Sequence, residues 1–196
     1  MSQPLVLACG ALVSELRAVL AASGIAEHVE VRYLPANLHN RPERIVPALT
    51  ELIEPDREVL LGYADCGTGG AIDALLATLP NARRLPGAHC YEFFAGSETF
   101  HRVAGEELGT FFLTDFLAKH FEALVWQGLR LDRHPELRDA YFGHYTRVLL
   151  LSQGDDPAVV EAGRRAAEML GLRFEHEHVG LQQFHEAVGL TIRKVA

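Results

Sequence analysis

The sequence has no excess of positive charge. Lysine and arginine together number 18 and aspartate and glutamate 26, so the net charge is −8. Nonspecific binding to nucleic acid or to an anionic membrane needs a basic surface, so we expect neither partner and a small-molecule substrate instead. No apolar run approaches the ~20 residues that span a bilayer. The first residues contain neither a basic leader nor the apolar core of a signal peptide, which predicts a cytoplasmic protein.

Cysteine is also scarce, with three residues, Cys9, Cys66 and Cys90. An odd number cannot close a disulfide framework, and a reducing compartment does not favour one. A disordered chain is excluded, because 48% of the residues are hydrophobic. The 196 residues contain no repeat or linker, so we predict a single α/β domain over residues 1–196. Its two possible lobes, 1–90 and 145–190, are joined by a helical segment, 91–144.

Strand-like and helix-like segments alternate in the first part of the chain, as in a parallel sheet covered by helices. We therefore predict a doubly wound, three-layer α/β fold, either Rossmann-like or flavodoxin-like, with the strand order 2-1-3-4. The predicted strands are Pro4–Ala8, Val29–Leu34, Glu58–Tyr63 and Ala82–Leu85, and the predicted helices are Ala11–Ala22, Pro42–Ile53 and Ala71–Leu79.

The rest of the chain is predicted to be a helical middle segment followed by a β-α-β extension. Residues from Cys90 to about Asp139 read mostly as helix, with Thr114 or Asp115 as the cap of one helix. The extension has the strands Arg147–Leu151 and Leu172–Val179, the intervening helix Pro157–Leu170 and a final short helix, Leu181–Val188.

The best functional signal is a convergence of soft ligands at one edge of the predicted sheet. Cys9 and Cys66 follow the first and third strands, and His39 and Cys90 follow the second and fourth. The carboxyl ends of parallel strands share one edge, where ligands bind. We therefore predict that the three sulfur atoms lie within reach of one point.

The chemistry of these residues favours a metal. Thiolates bind zinc, iron–sulfur clusters or copper(I), and imidazole suits zinc. A catalytic zinc site keeps three protein ligands and one open position. We predict zinc as the cofactor, with a 4Fe-4S cluster as the alternative, and whether His39 or His89 is a ligand stays open. The predicted metal ligands are Cys9, Cys66, Cys90 and His89.

A glycine-rich turn follows the third predicted strand, and its backbone N–H groups are candidates for cofactor binding. It matches neither the dinucleotide fingerprint nor the phosphate loop, so a tight turn is an equal alternative. The start of a helix beside Cys66 predicts a lowered pKa for its thiol. The turn consists of Gly67, Thr68, Gly69 and Gly70.

Candidate catalytic residues are Glu92, His39 and Asp65. Glu92 lies among aromatic residues, and a carboxylate in apolar surroundings is either paired or shifted in pKa. His176 and His178 alternate with two glutamates, which is typical of a solvated strand edge.

Several short blocks together resemble the family of domain of unknown function 1638, over about residues 5–150. Relatives typically have a histidine, an aspartate and then the cysteine in the third block, whereas His89 directly precedes Cys90 here. Some relatives are similar in gene setting to corrinoid-dependent methyltransfer systems for methylamines and betaines. The resemblance therefore implies methyl or one-carbon metabolism and a corrinoid or methyltransferase partner protein. The blocks are Ala8-Cys9-Gly10, Leu38-His39, Gly62-Tyr63-Ala64-Asp65-Cys66-Gly67, Ala88-His89-Cys90, Ala95-Gly96-Ser97 and Gly109-Thr110.

These observations predict a metal-dependent enzyme, a transferase or lyase, that activates a thiol or water and transfers a methyl or other small group. One alternative is a non-catalytic carrier of a metal or cofactor that serves a partner enzyme such as a corrinoid methyltransferase. Another is an α/β scaffold with buried cysteines. The oligomeric state stays open.

Overall fold

The computed structural model of the protein describes residues 3–192. Strands and helices alternate along most of this range. The strands are β1 (Leu5–Cys9), β2 (Glu30–Leu34), β3 (Val59–Gly62), β4 (Ala82–Arg84), β5 (Thr110–Leu113), β6 (Arg147–Ser152) and β7 (Arg173–His178). The α-helices are α1 (Val13–Ala22), α2 (Ile45–Thr50), α3 (Ala71–Leu76), α4 (Cys90–Ala95), α5 (Ser97–Glu106), α6 (Asp115–Lys119), α7 (Arg138–Phe142), α8 (Pro157–Leu170) and α9 (Gln182–Ile192).

The first four strands form a parallel sheet in the order β2-β1-β3-β4, which confirms the predicted order and the α/β fold class. Strands β1 and β3 are its apolar centre, and every residue of β3 is buried. Such continuous burial is typical of a parallel strand that is covered on both faces. One core cluster joins this sheet to α2 and α3 through Leu5, Leu7, Leu34, Ile45, Leu49, Val59, Leu61, Tyr63, Ile72 and Ala82.

A second parallel sheet has the order β5-β6-β7. Strand β5 corrects the prediction that residues 91–144 are helical, because the apolar run from Thr110 to Leu113 pairs with the buried strand β6. The predicted β-α-β extension is confirmed as β6, α8 and β7. The carboxylate of Asp156 caps α8 by accepting a 3.0 Å hydrogen bond from the Ala158 N–H group.

The chain divides into two compact units, each with one of the sheets. Unit 1 comprises the described residues up to Phe93 and those from Leu181 onward, and unit 2 is Phe94–Gly180. In unit 1, α9 packs against α1, and Phe184 stacks on Phe93 with ring centroids 5.1 Å apart. None of the described helices is long and apolar enough to cross a lipid bilayer.

Of the two residues predicted as the cap of α6, the structure selects Thr114 and not Asp115. The Thr114 hydroxyl accepts a hydrogen bond from the Leu117 N–H group at 3.3 Å. The buried Asp115 carboxylate instead accepts hydrogen bonds from the N–H groups of Gln153 and Gly154, at 3.0 and 2.9 Å. Asp115 thereby holds the loop after β6, which is a structural role.

Candidate functional site

The three cysteines lie at the carboxyl edge of the sheet in unit 1. Cys9 is the last residue of β1, and Cys90 is the first residue of α4. Cys66 lies in the loop after β3, where its N–H group donates a 2.8 Å hydrogen bond to the Ala88 carbonyl. The loop that carries Cys66 is therefore tied to the loop that leads into Cys90.

The thiols are close enough to influence one another's ionisation. Burial raises the pKa of the Cys66 thiol to about 12, and the nearby Cys9 adds to the shift. Burial likewise raises the pKa of Cys90, which Cys66 and Cys9 raise further. The pKa of Cys9 is also raised, chiefly by burial. Three thiols that share one desolvated region cannot all ionise there without a compensating cation.

The prediction that the pKa of Cys66 is lowered is therefore wrong. Backbone N–H groups, including that of Cys90, do favour its thiolate. Their effect is smaller than the combined effect of burial, the neighbouring Cys9 and the Asp65 carboxylate. Cys66 is consequently a protonated and weakly nucleophilic thiol at neutral pH.

A pocket of about 250 Å³ opens beside Cys66 and Cys90. The pKa of the His39 imidazole is lowered, chiefly because its ring is buried and also because His89 lies nearby. The structure thus brings five predicted site residues to one pocket: His39, Cys66, Gly67, His89 and Cys90. The complete lining is His39, Pro42, Cys66, Gly67, His89, Cys90 and Tyr91.

The glycine-rich turn is organised around Asp65. Its carboxylate accepts hydrogen bonds from the Thr68 hydroxyl at 2.7 Å and from the N–H groups of Gly70 and Gly69 at 2.8 and 3.2 Å. These donors lower the pKa of Asp65. The N–H groups of Gly69 and Gly70, which were candidates for cofactor binding, are therefore hydrogen-bonded to Asp65 within the turn. This agrees with the alternative that the segment is a tight turn.

Cys66 itself has a left-handed backbone conformation, with φ at +52°. A residue with a Cβ atom adopts this region at a cost, and such strain clusters at functional sites. Gly67 follows with φ at +79°, in a conformation that glycine adopts freely. The turn therefore holds the Cys66 thiol in a position that an unstrained chain would not give it.

Glu92 is paired with the loop that precedes α4. Its Oε2 atom accepts a 2.9 Å hydrogen bond from the Ala88 N–H group. A Cβ atom at Gly87 would lie 2.8 Å from the same oxygen, so the loop passes close to the carboxylate. Within the described residues, neither Glu92 nor Asp65 lines the pocket. Both carboxylates hold loops that carry cysteines.

The ligand set of a metal is not assembled in this conformation. In residues 3–192, no three His, Cys, Asp or Glu side chains are grouped in a way that would hold a metal ion. The thiols interact electrostatically, so a shared ion would require their side chains to turn toward a common centre. The assignment of Cys9, Cys66, Cys90 and His89 as metal ligands stays a prediction.

Tyr63 is the site residue that the sequence analysis missed. It follows the end of β3, and the pairing of Ala8 with Gly62 places it beside Cys9. Its buried hydroxyl has no hydrogen-bond partner in the described part of the chain, and the Cys9 thiol is close enough to influence its ionisation. Burial raises the pKa of this phenol, and Cys9 and Cys66 raise it further. Aligning the ends of the two predicted strands would have paired Tyr63 with Cys9.

The paired histidines of unit 2 lie apart in the sequence from these residues. His176 and His178 are exposed on β7, as predicted for a solvated edge. Both rings contact the buried Ser152 hydroxyl, with nitrogen–oxygen distances of 2.9 and 3.2 Å. This contact links the neighbouring strands β6 and β7.

The comparisons with known proteins give one result. No curated protein and no solved structure matches the chain. A family model described as "Protein of unknown function (DUF1638)" matches residues 33–188, which is most of the chain. The match covers His39, the turn from Asp65 to Gly70 and the segment from His89 to Glu92. The chain therefore belongs to the DUF1638 family.

Proposed function

We propose that the protein is a metal-dependent enzyme in which Cys9, Cys66 and Cys90 bind one thiophilic metal ion, with zinc preferred. The observation that carries this proposal is the placement of three cysteines at the carboxyl edge of one sheet. Their thiols are close enough that Cys9 raises the pKa of Cys66, and Cys9 and Cys66 raise that of Cys90. Two of these thiols line a pocket with two histidines. Cysteine thiolates and histidine imidazoles are the usual protein ligands of zinc.

The electrostatics argue for a metal over a free nucleophilic cysteine. A catalytic cysteine needs a lowered pKa, and burial shifts all three of these thiols the opposite way. A divalent cation supplies the missing positive charge and displaces the thiol protons on binding. A bound cation therefore offsets the burial that keeps all three free thiols protonated, and the repulsion that adds to it at Cys66 and Cys90.

The two histidines supply a further metal ligand and a general base in this proposal. His89 is proposed as a fourth ligand or a close neighbour of the ion, and His39 as the general base. A neutral imidazole at the pocket wall can accept the proton of a small substrate. Bound zinc would act as a Lewis acid that lowers the pKa of a substrate thiol or of water.

Asp65 and Glu92 are proposed as positioning residues. Asp65 holds the strained turn at Cys66 through its three hydrogen bonds, and Glu92 holds the loop before Cys90. The backbone of the turn from Gly67 to Gly70 thus shapes the site. A positioning role suits Asp65 and Glu92 because their carboxylate oxygens already accept hydrogen bonds from these loops.

A pocket of about 250 Å³ suits a small substrate. We propose transfer of a methyl or other one-carbon group from a donor substrate to a substrate thiol. The sulfur forms the new bond to the carbon, the donor's leaving group departs with the electron pair of the broken bond, and His39 accepts the thiol proton. A reducing cytoplasmic compartment is the proposed setting, because free thiols persist there. A corrinoid or methyltransferase protein is the proposed partner.

The test is the metal content of protein purified without oxygen. We expect about one zinc per wild-type chain, and roughly a tenfold or greater loss in each of the variants Cys9→Ala, Cys66→Ala and Cys90→Ala. The control is His101→Ala, which removes an exposed imidazole in unit 2. A wild-type chain with less than about 0.2 metal and three freely titrating thiols contradicts the proposal.

The same preparation separates the alternatives. A brown, oxygen-sensitive preparation would indicate that the same cysteines hold a 4Fe-4S cluster and not zinc. Bound metal with no turnover of a thiol or methyl-donor substrate would favour a carrier over an enzyme. Single cysteine variants that lose stability but no metal would indicate packing residues.

A further inference from the structure

We infer that Tyr63 is a positioning residue whose phenol donates a hydrogen bond to the Cys9 sulfur of the metal-bound centre. The inference rests on the proposed function. It adds a neutral donor to a centre that otherwise consists of thiolates and imidazoles. Its basis is the geometry of two residues at the ends of neighbouring strands.

The placement of the phenol follows from the sheet. Ala8 of β1 pairs with Gly62 of β3, so Cys9 and Tyr63 are the next residues along the two strands. Tyr63 is 2% exposed and belongs to the core cluster of unit 1, to which Cys9 is adjacent. The side chain is therefore held in the interior, on the same face of the sheet as that of Cys9.

The hydroxyl is not explained by packing. A buried O–H group that lacks a good acceptor destabilises the folded chain, whereas phenylalanine fills nearly the same volume without that cost. The Tyr63 hydroxyl has no hydrogen-bond partner among residues 3–192. The structure thus contains a donor that is nearly unused while Cys9 is protonated.

Ionisation of Cys9 gives this donor its acceptor. A thiol sulfur is a weak acceptor, and a hydrogen bond to a charged acceptor is much stronger. Metal binding requires the thiolate form of a cysteine ligand. The phenol would therefore become fully hydrogen-bonded only in the metal-bound protein, where it withdraws charge from the sulfur and fixes its orientation.

Tyr33 provides a matched control. Its buried hydroxyl also has no hydrogen-bond partner among the described residues, but it lies near Arg17 and Glu15 of α1. Tyr33 pairs with Ala8 across β1 and β2, so its side chain points to the opposite face from that of Cys9. Tyr33→Phe thus removes a buried phenolic oxygen from the same sheet without touching the cysteines.

The experiment compares Tyr63→Phe, Tyr33→Phe and wild type, with Co²⁺ as the probe. We expect metal-free Tyr63→Phe to melt at or above the wild-type temperature, yet to bind Co²⁺ about tenfold more weakly. Its sulfur-to-cobalt charge-transfer band should also shift. Tyr33→Phe should keep the affinity and the band of the wild type.

Unchanged Co²⁺ affinity and an unchanged band in Tyr63→Phe would overturn the inference while leaving the metal centre in place. A wild-type chain that binds no Co²⁺ would overturn the proposed function and this inference together. A second measurement applies if the variant does not fold. In the wild type, the hydroxyl proton of Tyr63 should shift in the NMR spectrum on zinc loading, and an unshifted proton contradicts the inference.

Discussion

Gly62 and Ala8 approach so closely across β1 and β3 that a Cβ atom at Gly62 would lie 2.7 Å from the Ala8 Cβ. The same added atom would lie 3.1 Å from the Ala8 Cα. These two residues directly precede Tyr63 and Cys9. The close approach of the two strands therefore places the residues that bear the phenol and the thiol side by side.

Gly62→Ala is expected to destabilise unit 1. The added methyl group meets a neighbouring strand that cannot move without breaking the pairing of β1 and β3, so the cost is about 2 kcal/mol. Urea unfolding at pH 7 measures it. The control is Gly105→Ala in α5, where nothing lies within 4 Å of the added atom and a small gain of about 0.5–1 kcal/mol is expected. Equal stability of Gly62→Ala and wild type would show that the strands separate freely.

Cys66→Gly and Cys66→Ala are expected to differ in stability although both remove the thiol. Cys66 has a φ of +52°, which glycine adopts without strain and alanine does not. The glycine variant should be more stable than the alanine variant by about 1 kcal/mol. Both should lose the metal to the same extent. Chemical denaturation of the metal-free proteins makes the comparison, and an alanine variant that is the more stable of the two would contradict the strain.

The stabilising effect of Glu107 is expected to depend on pH. The hydroxyl of Thr146 and the guanidinium of Arg173 donate hydrogen bonds to its carboxylate, and both lower its pKa in the folded protein. A lowered folded pKa means that the contribution is present above the unfolded value of about 4.3 and is lost as pH falls through the folded pKa.

The stability difference between wild type and Glu107→Gln should therefore shrink between pH 7 and pH 3. Urea unfolding at several pH values in this range measures it. The exposed Glu168→Gln in α8 serves as the control, and its difference from wild type should change less. A difference for Glu107→Gln that is constant or grows as the pH falls would contradict the ion pair.

The sequence predicted the part of the fold that depends on alternation and strand order. β1 to β4 and their helices follow from apolar segments separated by turns, and the carboxyl-edge rule brought Cys66, Cys90 and His39 to one region. Strand β5 was missed, because Thr110–Leu113 is a short aromatic run between helical segments. Such a run reads equally well as the buried face of a helix.

The electrostatic properties of the site could not be predicted in the same way. The raised pKa of Cys66 depends on burial and on the nearness of Cys9, which is 57 positions away in the sequence (66 − 9). The role of Asp65 depends on which way the N–H groups of Gly69 and Gly70 point. Both properties are set by the folded chain and not by local sequence.

X-ray absorption at the zinc edge of zinc-loaded protein tests the central claim most directly. We expect three sulfur atoms at about 2.3 Å from the metal and one lighter atom at about 2.0–2.1 Å. The variant Cys9→Ala should lose one sulfur from this shell. Zinc surrounded only by nitrogen and oxygen atoms, or a chain that retains no zinc, would contradict a metal centre built on Cys9, Cys66 and Cys90.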